Sequence, residues 1–355
     1  MPGPVYPAPP RPYPRRVEQS VGALVPALAA EAREAAHARS PGGSCRACGQ
    51  DADVLAERVD ALVVRHGRAV AKAHAPGTDP EDHRVRVAVA AHPLLAGILL
   101  PPLPAAGLLD GRPVTTWPYG SPVDPSDPDG APWEETAGLL ARLHRVPLGP
   151  LPRPLPVMRG PARAAAAVAR MRAAAPEHPA AGAVLGAWRR LPPWARGEAP
   201  APAPARLCHG DLHLGQLVRH PVGGGSWYLI DVDDLGLGDP AWDLARPAAW
   251  FAAGLLAPDT WARFLGAYRG AGGPAAGPDG ADPWPSLDAP ARALTVQTAA
   301  LALAKSAAGR RDLDDVERSM TDACARIAAL PIKLDDMIRP PEGNGTTQRD
   351  RAARS

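Results

Sequence analysis

The chain has 355 residues and a formal net charge of +2, with 39 basic and 37 acidic residues spread along it. This balance excludes the strongly basic surface of a protein that binds nucleic acid or an anionic membrane. Although 46% of the residues are apolar, no apolar run reaches the roughly 20 residues that a membrane-spanning helix needs. Residues 1–16, rich in proline and arginine, lack the apolar core of a signal peptide. We therefore expect a soluble cytoplasmic protein, monomeric or homodimeric, with neither nucleic acid nor membrane as a partner.

Residues 1–50 are predicted to form a proline- and alanine-rich N-terminal extension that is partly disordered. The extension contains a short alanine-rich helix over residues 21–38, which we expect to break at Pro26. A flexible joint follows from Ser40. The folded part of the chain is then expected to begin near Asp51.

Cys45 and Cys48 form a C-x-x-C pair just before that point. Because no second C-x-x-C follows at zinc-finger spacing, we interpret the two cysteines as free thiols of a loop. They could instead be half of a zinc site, but only if the fold brings His37 or His66 close to them. A redox pair is the third possibility.

Residues 51–119 are predicted to form a small, mainly β lobe. Short apolar runs between residues 54 and 73 are typical of strands, with a tight turn at His66-Gly67. A helix is predicted over residues 79–91, and a further strand ends at Pro118. This lobe contains Lys72, the only lysine before Lys305.

Residues 120–335 show mostly helical periodicity and are predicted to form a larger, mainly helical lobe. In the helix that ends near residue 146, Ala137, Leu140 and His144 share one side, so His144 is interpreted as a packing or capping residue. A short β insert interrupts the helices, and two long helical regions follow it. Residues 336–355 are predicted to be a disordered tail. The predicted fold class is therefore α+β, with two lobes.

Three ordered motifs lie in the β insert: HGDLHLGQ at residues 209–216, LIDVDD at 229–234 and GDPAWDLA at 238–245. Strands that end in acidic tips bring carboxylates together at one edge, which is the arrangement that phosphoryl transfer needs. One carboxylate can orient an attacking hydroxyl while others hold magnesium. Taken singly, Asp233 and Asp234 could be solvated surface acids. Asp239 and Asp243 could be acids at the start of a helix.

The three motifs together resemble the aminoglycoside phosphotransferase family, in the broad sense that includes choline kinases and other small-molecule kinases. The family pattern is H-G-D-x-H-x-x-N, then a hydrophobic segment ending in D, then G-D-P-x-x-D-L-A. The resemblance extends over about residues 51–330. It implies a protein-kinase-like two-lobed fold, ATP and Mg²⁺ as cofactors, and transfer of phosphate to a small-molecule hydroxyl acceptor.

Carried over to this chain, the resemblance makes Asp211 the catalytic carboxylate and Asp231 a magnesium ligand. Gln216 stands where most members have asparagine, the second metal ligand, and its carbonyl oxygen lies one methylene further out. This form of the motif resembles that of maltokinase-type members. His209, Asp239 and Asp243 are similar to the structural polar residues that brace the catalytic loop by hydrogen bonds. His213 would do likewise or contact phosphate.

The resemblance also requires a lysine for the ATP phosphates and a hinge for the adenine. Lys72, on a predicted strand, is the candidate for the phosphates, and Glu81 or Asp82 on the next helix for its ion-pair partner. Residues 114–119 are the expected hinge. The adenine-binding candidates in that hinge are Val114, Trp117 and Tyr119. No glycine-rich phosphate loop is visible.

Two other functions remain open from the sequence. Gln216 and the poorly placed helix acid would fit a pseudokinase that binds nucleotide without turnover. A metal-dependent phosphohydrolase could use His209, Asp211, His213 and Asp231. For a kinase, the acceptor-side helices carry arginines and few acids. We therefore expect a neutral or anionic acceptor, such as a sugar or amino-alcohol metabolite, before an aminoglycoside.

Overall fold

The computed structural model describes residues 22–38, 45, 47–58, 60–104, 106–127, 130–201 and 205–331. Over these ranges a small lobe built on an antiparallel sheet is followed by a larger helical lobe. The α+β, two-lobed fold class is therefore confirmed. None of the helices within these ranges is both long and apolar enough to cross a lipid bilayer. The predicted tails, residues 1–16 and 336–355, lie outside the described residues.

The small lobe contains a five-stranded antiparallel sheet with the order β1-β2-β3-β5-β4. Its strands are β1 (Asp53–Arg58), β2 (Ala61–His66), β3 (Ala69–Ala73), β4 (Ala106–Leu109) and β5 (Arg112–Pro118). His66 pairs with Ala69, so the turn between β2 and β3 consists of Gly67 and Arg68, one residue later than predicted. Gly67 has a φ of +57°, which glycine adopts at little cost.

A helix N-terminal to the sheet belongs to the core of the small lobe. α1 (Val25–Ala38) places Leu28 in one apolar cluster with Leu62 of β2. Pro26 lies in the first turn of α1 and does not break the helix, because the first turn loses nothing through a missing N–H. The folded part therefore includes α1 and begins earlier than Asp51, the start that the sequence predicts.

α2 (Pro80–Ala90) connects the small lobe to the acidic segment, residues 230–235. Asp79 caps it by accepting hydrogen bonds from the backbone N–H groups of the first turn. Its buried Val85 packs into the core of the large lobe. The Arg86 Nε donates to the Leu235 carbonyl at 2.8 Å. These contacts fix α2 against the segment that carries the acidic motifs.

The large lobe is mainly helical. Its helices are α3 (Trp133–His144), α4 (Gly160–Ala174), α5 (Ala181–Arg189), α6 (Ala241–Ala252), α7 (Pro258–Gly270), α8 (Trp284–Gly309) and α9 (Asp315–Ala329). α8 packs against α4, α6 and α9 and forms the centre of the lobe. Short strands complete it: β6 (Ser121–Pro122), β7 (Arg206–Cys208), β8 (Leu217–His220), β9 (Ser226–Leu229) and β10 (Gly236–Gly238). They pair as β6-β8-β9 and as β10-β7.

Candidate active site

Strand pairing holds the two acidic loops side by side. Residues 209–216 connect β7 to β8, and residues 230–235 connect β9 to β10. Because β8 pairs with β9 and β7 with β10, both ends of each loop are fixed to the other loop. The Ile230 N–H also donates to the Gln216 carbonyl at 2.9 Å. The side chains at the two tips consequently line one cleft between the lobes.

Lys72 reaches across this cleft from β3. Its Nζ lies 2.7 Å from Asp231 Oδ1 and 2.9 Å from Asp233 Oδ2, and the lysine is buried. Burial alone would lower the pKa of Lys72, but the two carboxylates raise it above its ordinary value. The lysine is therefore a cation at neutral pH. It joins the small lobe to a carboxylate 159 residues further along the chain.

Asp231 holds its carboxylate in place through an unusual backbone. Its φ of 64° and ψ of 78° are left-handed, which costs a non-glycine residue about 1–2 kcal/mol. Strain of this kind persists where the surroundings fix it, and it is concentrated at functional sites. The Asp233 N–H approaches Asp231 Oδ1 at 3.4 Å. This turn directs both carboxylates toward Lys72.

Glu81 does not pair with Lys72. It lies in the exposed first turn of α2, where its carboxylate is 2.6 Å from Arg84 Nη2. The prediction that Glu81 pairs with Lys72 was wrong, because Asp231 and Asp233 of the acidic segment contact the lysine instead. The buried side of α2 instead presents His83, whose ring packs 4.1 Å from that of His74.

His74 extends the same contact network. Its Nδ1 lies 2.8 Å from Asp233 Oδ1 and its Nε2 lies 2.7 Å from Thr115 Oγ1. Burial raises the pKa of Asp233, but Lys72 and His74 outweigh it and hold that pKa far below its usual range. Burial, followed by the charge of His74, lowers the pKa of His83 to about 4. His83 is therefore a neutral packing partner.

Asp211 lies between two arginines. Its Oδ1 is 3.0 Å from Arg246 Nη2, and its Oδ2 is 3.3 Å from Arg163 Nη2. Burial raises the pKa of Asp211, but the two guanidinium groups outweigh it, so that pKa lies below the ordinary value. Arg246 Nε also donates to the Leu212 carbonyl at 2.8 Å. Asp211 is therefore ionised at neutral pH and held in one orientation.

Asp234 is a buried partner of the same arginine cluster. Its carboxylate contacts Arg163 and lies 3.5 Å from Arg159 Nε, and the residue is only 2% exposed. It is therefore not the solvated surface acid that the sequence allows. Its backbone lies so close to the catalytic loop that a Cβ on Gly210, where φ is +88°, would lie 2.4 Å from the Asp234 carbonyl oxygen. Only glycine fits there without displacement.

Asp243, on α6, anchors the start of the loop of residues 209–216. Its carboxylate accepts hydrogen bonds from the backbone N–H groups of His209, at 2.6 Å, and Gly210, at 2.8 Å. His144 Nε2 lies 3.0 Å from the same carboxylate, and His144 Nδ1 lies 2.8 Å from the Tyr268 hydroxyl. The His209 Nε2 donates to the Ile230 carbonyl at 2.8 Å. The loop that carries Asp211 is therefore tied to the core and to the neighbouring acidic loop.

Asp239 plays a more local part. Its Oδ1 accepts a hydrogen bond from the Ala241 N–H at 2.9 Å, at the start of α6. Burial raises its pKa, which the Ala241 hydrogen bond only partly offsets. Within the described residues Asp239 therefore acts as an acid at the start of a helix, one of the two interpretations that the sequence allowed.

His213 and Gln216 complete the cleft end of the catalytic loop. The His213 Nδ1 accepts a hydrogen bond from the Gly215 N–H at 3.0 Å. Burial, followed by the charge of Arg246, lowers the pKa of His213 to about 4, so the ring is neutral. The Gln216 amide lies 3.5 Å from Asp231 Oδ2. The glutamine side chain is thus adjacent to the aspartate with which the sequence pairs it.

The cleft has a volume of about 400 Å³. That is within the range of small-molecule sites. Its lining combines apolar side chains with Lys72, Asp231 and Asp233. Trp117 and Tyr119 line it as predicted hinge residues, but Val114 does not. Val114 is 2% exposed and packs into the core of the small lobe with Leu28, because successive side chains of β5 point to opposite faces.

The backbone of Tyr119 is already engaged. Its N–H donates to the Arg68 carbonyl at 2.8 Å, and its carbonyl accepts from His220 Nδ1 at 3.0 Å. The Arg65 guanidinium stacks 3.6 Å from the centre of the Tyr119 ring. Tyr119 therefore joins β2 and the β2–β3 turn to His220 at the end of β8.

Several residues of the site were missed from the sequence. His74 carried a usable signal, since it lies two residues after Lys72 and so points to the same face of the chain. Arg246 directly follows the GDPAWDLA motif, three residues after Asp243 on α6. Arg163 gave no such signal, because it lies in an alanine-rich helix whose neighbours only the fold reveals.

Residues 45–284 match the family model described as the phosphotransferase enzyme family (APH). No curated protein matches the chain. Among solved structures, the apo form of a thermostable mutant of aminoglycoside phosphotransferase APH(4)-Ia has a TM-score of 0.54 at 15% identity, covering 79% of this chain and 94% of that chain. A ternary complex of a thermostable mutant of the same enzyme with AMP-PNP and hygromycin B has a TM-score of 0.52 at 15% identity, covering 83% of this chain and 98% of that chain.

Choline kinase LicA from Streptococcus pneumoniae has a TM-score of 0.50 at 17% identity, covering 79% of this chain and 93% of that chain. Identities this low show a common fold and nothing finer. The family model, in contrast, spans well over half of the sequence and includes all three acidic motifs. The chain therefore belongs to the phosphotransferase enzyme family.

Proposed function

We propose that this phosphotransferase is an ATP-dependent kinase that moves the γ-phosphoryl group of Mg-ATP to a hydroxyl of a small molecule. The observation that carries the proposal is the contact of Lys72 with Asp231 across the cleft, at 2.7 Å. Phosphoryl transfer requires a cation for the phosphates and a metal ligand at the same point. A phosphohydrolase has no need of a buried lysine from the opposite lobe.

The residues around this point fit a magnesium ion. Asp231, Asp233 and Gln216 all line the cleft. They offer the carboxylate and amide oxygens that Mg²⁺ prefers. When bound, the ion would neutralise charge on the phosphate oxygens. We assign Asp231 and Gln216 as its protein ligands.

Each remaining residue then has a definite part. Lys72 donates to phosphate oxygens as a fixed cation, and the apolar wall of the cleft, including Val70 and Ile230, contacts the adenine. Asp211 accepts a hydrogen bond from the acceptor hydroxyl and aims it at the phosphorus. Because positioning and charge supply most of the rate in such reactions, the loss of Asp211 should lower turnover at least about 10³-fold.

The charges beside Asp211 favour a neutral or anionic acceptor. Arg163, Arg246 and Arg159 surround the two carboxylates of Asp211 and Asp234, so the acceptor end carries one cation more than it has anions. A polycationic aminoglycoside would be repelled there. The acids at the start of α9 do not offset this positive charge, because Asp314 and Glu317 hydrogen-bond within the capping box of that helix. A neutral or anionic sugar metabolite suits the site best, whereas an amino alcohol, which is a cation at neutral pH, suits it less well.

The test is acceptor-dependent release of ADP from Mg-ATP over a panel of hydroxylated compounds. The panel should contain neutral sugars, sugar acids, amino alcohols and aminoglycosides. Wild type is compared with Asp211→Asn, and Asp322→Asn, at an exposed position of α9, is the matched control. We expect release that requires an acceptor, persists in the control and disappears in Asp211→Asn.

Other outcomes separate the alternatives. ATP binding without turnover against the whole panel would indicate a pseudokinase. Phosphate release from a monoester in the absence of ATP would indicate a hydrolase. Aminoglycosides as the best acceptors would contradict the charge argument while leaving the kinase assignment intact. Gln216→Asn should keep activity, with an altered Mg²⁺ dependence, if residue 216 is a metal ligand.

A further inference from the structure

Four potential metal ligands meet at the end of the small lobe that is formed by α1 and the β2–β3 turn. They are His37 in the last turn of α1, Cys45 and Cys48 of the C-x-x-C segment, and His66 at the end of β2. Their ligand atoms all lie within 4.8 Å of one another. The fold thus brings both candidate histidines to the cysteine pair, the condition that the sequence alone could not test.

Three sulfur–nitrogen distances among these atoms match those of a tetrahedral site. The Cys45 Sγ and His66 Nε2 are 3.3 Å apart, the Cys48 Sγ and His37 Nε2 are 3.3 Å apart, and the Cys48 Sγ and His66 Nε2 are 3.6 Å apart. Zinc bonds of about 2.3 Å to sulfur and about 2.0 Å to nitrogen, at a tetrahedral angle, place S and N about 3.5 Å apart. The His37 and His66 rings meet edge to face at 78°, and the Nε2 atom of each lies 3.3 Å from a cysteine sulfur.

The backbone around the cysteines has the form of a short chelating turn. The Cys48 N–H donates to the Cys45 carbonyl at 3.1 Å, and the Gln50 N–H donates to the Ala47 carbonyl at 3.2 Å. This turn packs on Gly67, where an added Cβ would meet the Cys45 Sγ at 4.0 Å. The two sulfurs are therefore held on the same side as the imidazoles.

We propose that His37, Cys45, Cys48 and His66 bind one Zn²⁺ ion as a closed structural site. Two thiolates and two imidazoles are a set that selects zinc, and four protein ligands leave no open position for catalysis. The ion would link α1 to the sheet and fix the β2–β3 turn. That turn contacts Tyr119, which lines the cleft, through the Arg68 carbonyl, and the adjoining strand β2 contacts Tyr119 through Arg65.

The test uses the full chain, purified without chelators and without a polyhistidine tag, reduced, loaded with ZnCl₂ and desalted. We expect about one zinc per chain by mass spectrometry of the metal, and less than about a tenth of that in Cys45→Ser/Cys48→Ser. Cys324→Ala, a buried thiol on α9, is the control and should keep its zinc. Loading with Co²⁺ should give the intense visible absorption of tetrahedral cobalt with thiolate ligands.

Stability provides a second readout. A chelator should lower the melting temperature of the wild type by roughly 5–10 °C and leave the double variant unchanged. If the double variant does not fold, His37→Gln replaces it, because that ligand lies outside the sheet and its loss should weaken zinc binding at least tenfold. A reduced, loaded wild type without stoichiometric zinc would overturn the proposal. So would full zinc occupancy in the folded double variant.

Discussion

Replacement of Asp243 by asparagine should destabilise the protein more than its conservative chemistry suggests. The Asp243 carboxylate is 1% exposed and accepts two backbone hydrogen bonds, at 2.6 and 2.8 Å, with one oxygen each. An asparagine retains one acceptor oxygen and turns an N–H₂ group toward the other backbone N–H. A hydrogen bond to a charged group contributes about 1.5–3 kcal/mol, so we expect the free energy of unfolding to fall by about 2–3 kcal/mol.

The pH dependence sharpens this prediction. Burial raises the pKa of Asp243, but the hydrogen bond and charge of His144, with the other donors, outweigh it, so the folded pKa lies below the ordinary value. A carboxyl with a lowered folded pKa contributes stability above its unfolded pKa of about 4, and that contribution is lost as the pH falls through the folded value. The difference between wild type and Asp243→Asn should therefore be constant near neutral pH and shrink below about pH 4.

Urea unfolding followed by tryptophan fluorescence measures this difference. Asp239→Asn is the matched control, since it keeps the oxygen that accepts the Ala241 N–H and should change the free energy by less than about 0.5 kcal/mol. Equal unfolding free energies for the Asp243 and Asp239 variants would refute the argument that the carboxylate anchors the catalytic loop. A difference that does not shrink in acid would refute the charge assignment.

Three further predictions follow from the site. Gly210→Ala should lower the free energy of unfolding by about 2–3 kcal/mol, because φ is +88° and a backbone oxygen would lie 2.4 Å from the new Cβ. Its control is Gly182→Ala, in open space on α5, which should raise the free energy of unfolding by about 0.5–1 kcal/mol in the same urea series. Lys72→Met should weaken ATP binding at least about tenfold in a fluorescent-nucleotide displacement assay, and an unchanged Kd would exclude a phosphate contact. Arg246→Gln removes a cation that lowers the pKa of Asp211, so the acid limb of the kcat/KM profile should move to higher pH, and an unmoved limb would contradict that coupling.

The acidic motifs were predictable because local strand pairing determines where they lie. Gln216 and Asp231 flank β8 and β9, which pair as neighbours with Leu217 opposite Leu229. A hairpin of this kind brings its two ends together whatever the rest of the chain does. Lys72 was predictable for a similar reason, since it shares the period-two face of β3 with Val70.

Contacts between distant elements were not predictable in this way. Arg163 on α4 contacts Asp211 and Asp234 only because α4 packs beside the two loops that carry these aspartates. Its alanine-rich surroundings give helix propensity but no information about which neighbour the helix will have. Val114 was assigned to the hinge by its position in the sequence, whereas strand alternation turns it into the core of the small lobe. α1 was placed outside the fold for its composition, although Leu28 completes that core.

The arrangement of Lys72 explains why this lysine needs no ion pair with Glu81 or Asp82 of α2. A buried lysine needs an acidic partner to remain charged, and Asp233 of the acidic segment is such a partner, two residues after Asp231. The Lys72 ammonium group contacts both carboxylates, and Asp233 also contacts His74 Nδ1 at 2.8 Å. If the protein binds Mg-ATP as proposed, a divalent ion beside Asp231 and Asp233 would free Lys72 to donate to phosphate oxygens. In the proposed kinase, binding of nucleotide and of a divalent ion would therefore be coupled through Lys72, while His83 of α2 contributes packing.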